Sequence, residues 1–179
     1  MTQRYTSSVR GAGAALFLCT AAALPVQAAD NVHFSGSLVA SACILTLQGT
    51  DVATVDFAQL DAADFVPSGQ STRKPLTFEL TECDSALSNG VKVTFDGVEA
   101  PEASGILTLD SGSMASGIGI GIETLAGTPV AINNADGATF TLNTGNNTLH
   151  LNAWVQRLVG KDLTPGTFTA TATVTFEYL

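Results

Sequence analysis

Apolar residues recur at every second position over much of this chain. Clusters of Gly, Asn, Asp, Ser and Pro separate these stretches, and the 3.6-residue repeat of an amphipathic helix is nearly absent. Successive side chains of an extended strand point to opposite faces, so this spacing predicts strands with one face buried. Such strands are expected at residues 32–40, 43–47, 54–57, 76–80, 91–95, 106–109, 118–123, 139–142, 148–155 and 167–178. Turns are expected at Pro67-Ser68-Gly69, Ser88-Asn89-Gly90, Asp110-Ser111-Gly112, Ala135-Asp136-Gly137, Thr144-Gly145-Asn146-Asn147 and Pro165-Gly166. Many short strands at this spacing predict an all-β sandwich or barrel.

The first residues follow a different pattern. Arg4 and Arg10 are followed by an apolar or small run over 11–24, then Pro25 and the compact residues Val26-Gln27-Ala28. This order predicts a secretory signal peptide over 1–28, cleaved after Ala28, with Ala29 as the second choice. The run has 14 residues, short of the roughly 20 that span a bilayer. Cleavage would leave 151 residues and, with both arginines gone, change the net charge from −9 to −11. A chain this acidic has no electrostatic reason to bind nucleic acid.

Cys19 lies inside the signal, and Leu18 before it argues against lipidation. That leaves Cys43 and Cys83. In an oxidising compartment two cysteines most simply form one disulfide, and two buried free thiols are the other reading. Two cysteines and two distant histidines, His33 and His150, are too few for a metal site.

No catalytic grouping is readable, and no cofactor is expected. Gly117-Ile118-Gly119-Ile120-Gly121 lacks the spacing of a dinucleotide loop and is expected to be a strand with glycines on a crowded face. Ser113 and Ser116 do not form a nucleophile elbow. His33 and His150 each sit between apolar neighbours, at expected solvent-side positions of strands. Asp61 and Asp64 suit a solvated surface, and Asn146-Asn147-Thr148 is read as a turn rather than a glycan acceptor.

The two ends carry the functional signal. In the last expected strand Phe168, Ala170, Ala172, Val174, Phe176 and Tyr178 share one face, while threonines and Glu177 take the other. The alternation runs to Tyr178, so no later segment is expected to cover this strand. Natural proteins blunt such an edge with charge, proline or a bulge. Here no proline follows Pro165, and Glu177 is the one charge. Near the other end, Val32, Phe34, Gly36, Leu38 and Ala40 alternate with His33, Ser35, Ser37 and Val39. This segment reads as a first strand, or as a strand donated to the open edge of another copy. Strand addition satisfies backbone groups and fills pockets at alternate positions. Because donor and acceptor surfaces differ, the contact is head-to-tail and builds a fibre.

The motifs VHFSGSLVASAC (32–43), FELTEC (78–83), VKVTFDG (91–97), GIGIGI (117–122) and PGTFTATATVTFEY (165–178) together resemble the type 1 fimbrial subunits of the chaperone–usher pathway. The resemblance rests on the paired cysteines, Gly166 thirteen residues before the end and the penultimate aromatic Tyr178. It implies an incomplete immunoglobulin-like β-sandwich over 43–179 that lacks its last strand and is completed by donor-strand exchange. It also implies a donor extension over 29–42 and an acceptor and chaperone-binding edge running from Gly166 to Tyr178. The implied partners are other copies or sister subunits, a periplasmic chaperone and an outer-membrane usher. The implied location is a fimbrium on the cell surface, reached through the periplasm. Only four residues, 29–32, would precede His33, which is similar to tip adaptors, whereas the body motifs and the C-terminal ending resemble a major shaft subunit.

Readings from other classes fit less well. A secreted monomeric carbohydrate-binding sandwich would need exposed aromatics, and Trp154 alone is no platform. A periplasmic enzyme has no catalytic grouping behind it. A type IV pilin would begin with a long apolar helix, and a sortase-assembled pilin would end in an anchor and a hydrophobic tail. Behaviour on expression separates these: an incomplete subunit should self-associate or degrade, and a lectin or enzyme should be a stable monomer.

Overall fold

The alternating stretches pair into two antiparallel sheets. A computed structural model describes residues 42–46, 53–65 and 68–179, all within the unit Leu38–Leu179. The strands are β1 (Ile44–Thr46), β2 (Lys74–Cys83), β3 (Gly90–Asp96), β4 (Ile118–Thr124), β5 (Ala138–Thr141), β6 (Gly145–Arg157) and β7 (Thr173–Tyr178). One sheet has the order β1-β2-β6-β4 and the other β5-β3-β7. A 3-10 turn covers Ala62–Phe65. The expected signal segment 1–28 and the expected strand over 32–40, with Val32, Phe34, Gly36, Leu38 and Ala40, lie outside the described residues.

The core sits between the sheets and comes from the period-two pattern. Phe78 and Leu80 of β2, Val91 and Val93 of β3, and Leu149, Leu151 and Val155 of β6 are almost fully buried. Burying each such side chain stabilises the fold by about 1.5–3 kcal/mol. Phe78 lies at the centre, with ring centroids 6.3 Å from Phe95 and 5.2 Å from Phe176 of the opposite sheet, the second pair edge-on.

Four expectations need correction. Residues 54–57 pair with no strand among the described residues. The Asp56 carboxylate accepts the Ala58 N–H at 2.7 Å, and Ala58 has a φ of 53°, so the chain turns there. Phe57 is nonetheless buried and Val55 half-buried. Residues 106–109 are not a strand, because Leu107 makes only isolated bridges to Glu99 and Ile120. The last strand starts at Thr173, not at 167. Asn146 and Asn147 belong to β6. The Asn147 side chain closes the preceding turn, accepting the Asn143 N–H at 2.9 Å and donating to the Asn143 carbonyl at 2.7 Å.

The glycines of β4 are crowded, as the sequence suggests. Trp154 of β6 is 5% exposed although it lies on the outer face. Its indole lies over Gly121, where an added Cβ would be 2.3 Å from the ring. Arg73 covers it at 4.9 Å from the ring centroid and holds Glu123 at 2.9 Å. Gly121→Ala is therefore expected to displace the indole and to cost about 1–3 kcal/mol, the usual range for overpacking. A thermal melt compared with that of the parent chain checks this.

Candidate functional site: an open sheet edge and the groove beside it

β7 borders the three-stranded sheet with β3 on one side only. The Leu179 N–H donates to the Gly90 carbonyl at 2.9 Å, and the register continues through Lys92–Glu177, Thr94–Thr175 and Asp96–Thr173. In an antiparallel ladder the bonded pairs alternate. The backbone N–H and C=O groups of Val174, Phe176 and Tyr178 therefore face away from β3, toward an edge that no described strand occupies. On the outer face Lys92 and Glu177 form an ion pair at 2.7 Å.

The side chains follow the same phase. Phe168, Ala170, Ala172, Val174, Phe176 and Tyr178 are half-buried and pack against the core, while the threonines between them and Glu177 are exposed. Six inward side chains in a row thus stop short of full burial along one unpaired edge.

Contacts across the sandwich set the width of this groove. The Tyr178 hydroxyl donates to the Cys43 carbonyl at 3.3 Å. Phe176 meets Phe78, and the Phe168 ring lies 6.2 Å from that of Phe57. At the Phe168 end the groove deepens into an apolar cavity of about 650 Å³, bordered by Val55, Phe57, Leu60, Phe65, Ile118 and Leu163. Gly166 stands at its rim, where an added Cβ would fall 2.7 Å from the Ala115 nitrogen.

Cys43 and Cys83 form a disulfide that ties the entry of β1 to the end of β2. The β2–β6 register shifts between Leu80 and Cys83, and Glu82 has a φ of 54°. This bulge re-aims Cys83.

The expected acceptor positions from Gly166 to Tyr178 are thus gathered along one edge. Of the residues that complete the groove from the other side, Phe78 lay in an expected strand and in the FELTEC motif, whereas Leu60 and Phe65 carried no signal in the sequence beyond being apolar and Phe57 was expected in a strand that does not form. Among the described residues no three metal-ligating side chains cluster. His150 is exposed on β6, opposite Thr77, and Trp154 is covered, so the indole offers no exposed aromatic platform.

Known proteins share this architecture. Residues 32–179 match the family model described as fimbrial protein. The chain is 46% identical over 150 residues to an uncharacterized fimbrial-like protein, YfcP, of Escherichia coli K12, covering 84% of each chain. It is 31% identical to the type-1 fimbrial protein A chain of Salmonella typhi, covering 99% of this chain and 97% of that one. Among solved structures, the P pilus rod subunit PapA superposes with a TM-score of 0.66 at 29% identity, over 78% of this chain and all of that one. The match across 32–179, with a sandwich of the same fold, means that the chain belongs to the fimbrial protein family and is a structural subunit of a fimbria.

Proposed function

We propose that the groove beside β7 accepts an extended strand from another chain and that residues 32–40 are the strand this chain gives to the next. The observation that carries this reading is the row of half-buried side chains from Phe168 to Tyr178 beside outward-facing backbone groups. An added strand satisfies those groups and completes the burial. Each copy then gives at one end and receives at another, so the assembly grows head-to-tail into a fibre. During export the same edge is held by a periplasmic chaperone, and an outer-membrane usher exchanges that strand for the next subunit's. The segment 1–28 is removed as a signal peptide, and the fibre stands on the cell surface.

Within the fibre we assign the chain to the shaft. The likeness to a rod subunit and to a type-1 A chain supports that role. The short stretch expected ahead of His33 favours a tip adaptor instead. Imaging fibres that carry a tagged copy decides between them: label along the whole length supports the shaft, and label at one end only overturns it.

Gly36 is the position where the donated strand runs closest to the acceptor's core, since its neighbours in the alternation, Phe34 and Leu38, are large. Gly36→Val is expected to leave the exported subunit intact and able to bind its chaperone while blocking assembly. Fibres of normal length, seen by electron microscopy, would remove Gly36 from this role.

A further inference from the structure

We propose that Asp110 and Ser113 form a clamp that positions the cavity end of the acceptor edge and thereby sets how fast an incoming strand docks. This rests on the strand-acceptor reading above. β3 ends at Asp96, and its ladder with β7 stops at Thr173. Residues 167–172 still continue the inward and outward alternation of β7, with Phe168, Ala170 and Ala172 facing the core. Something other than a strand must hold that half of the edge straight.

The turn after Leu109 does so, largely with side chains. The Asp110 N–H donates to the Thr169 carbonyl at 2.8 Å. The Asp110 carboxylate accepts the Thr171 N–H at 3.1 Å and the Thr171 hydroxyl at 3.0 Å. The Ser113 hydroxyl accepts the Thr169 N–H at 3.0 Å and donates to the Thr169 carbonyl at 3.1 Å. Beyond it, the Met114 N–H donates to the Thr167 carbonyl at 2.8 Å. Thr167, Thr169 and Thr171 therefore turn their backbone groups toward this turn. The alternation of an extended chain leaves those of Phe168, Ala170 and Ala172 for the open edge. A hydroxyl that both accepts from and donates to one residue reproduces the paired bonds of an antiparallel strand, and the carboxylate extends them to the next odd position.

A backbone ladder cannot be deleted one bond at a time, but these two side chains can. Without them, Thr171 would lose both of its bonds to the turn and Thr169 two of its three, leaving 167–172 held by main-chain bonds to the Thr167 and Thr169 carbonyls and Phe168 less firmly placed beside Phe57 at the cavity. The β3–β7 ladder and the Phe78–Phe176 contact do not involve either residue. The expected loss is thus local.

The test compares the full-length exported chain with Asp110→Ala, Ser113→Ala, the double variant, and the conservative pair Asp110→Asn with Ser113→Thr. A fluorescent peptide carrying residues 32–42 is the probe for strand docking. Amide exchange read by mass spectrometry reports separately on 167–172 and 173–178. Each lost bond is expected to speed exchange over 167–172 by about tenfold, equivalent to ~1.4 kcal/mol. Exchange over 173–178 should not change. The double variant should take up the peptide at least about tenfold more slowly, and the conservative pair should restore most of the rate. Faster exchange with an unchanged uptake rate overturns the role in docking, and unchanged exchange over 167–172 overturns the clamp itself. A parent chain that takes up no peptide overturns the strand-acceptor reading instead, with the clamp then judged on exchange alone.

Discussion

Replacing Phe176 and Tyr178 together with serine is expected to abolish capture of a partner strand. Phe176 sits edge-on against Phe78 at 5.2 Å, and Tyr178 bonds the Cys43 carbonyl across the groove. Both are half-buried, so each offers further apolar surface to a strand laid beside it. Full burial of a large apolar side chain is worth about 1.5–3 kcal/mol. Losing two such anchors weakens the contact by a few kcal/mol, enough to lower affinity by a factor of about a hundred or more. The measurement is co-purification with the proposed periplasmic chaperone and entry into fibres. Because Phe176 also contributes to the core, the variant loses some stability in any case. Val174→Pro separates the two effects. Its N–H faces the open edge, so proline there removes a bond to the incoming strand and none to β3. Both variants still bound to chaperone and present in fibres would refute the acceptor role of this edge.

Removing the disulfide is the second large expected effect. The bridge closes a loop of 40 residues. The chain-entropy model gives about 3–4 kcal/mol for a loop of that length. Domains of this size have only about 5–15 kcal/mol in all. Cys43→Ser with Cys83→Ser should therefore lower the denaturant midpoint sharply and leave little folded protein at 37 °C. Urea titration followed by circular dichroism measures it. A midpoint unchanged from the parent chain would mean that the bridge adds nothing to stability. Beyond the general loss, the serine variant frees β1, a strand of only three residues that pairs with β2 alone.

The strands that alternate without interruption were readable from the residues alone. β2, β3, β4, β6 and the second half of the last strand are where the period-two pattern is longest, because one buried face enforces it. Short apolar stretches misled. Val55 and Phe57 point inward from a turn set by Asp56, and burial alone does not distinguish that from a strand. Leu107 bridges two neighbours singly, and no count of apolar residues foretells that. In 167–172 the alternation was right but the strand assignment was not, since that stretch is held largely by side chains of Asp110 and Ser113 rather than by a ladder. The half-buried row along the open edge was legible because it lies in one continuous segment. Its far wall was not, since the Tyr178–Cys43 contact joins residues 135 positions apart and depends on the whole topology.

The placement of Cys43 also decides how the domain carries tension. A pull transmitted through Ala42, which is held by one bond from the Asp84 N–H, passes next to Cys43. Without the sulfur bridge that load would peel β1, three residues long, away from its neighbour one bond at a time. With the bridge, part of the force passes directly into β2, which is ten residues long and paired along most of its length with β6. The bridge thus transfers strain from the weakest strand of the four-stranded sheet to one anchored in its interior.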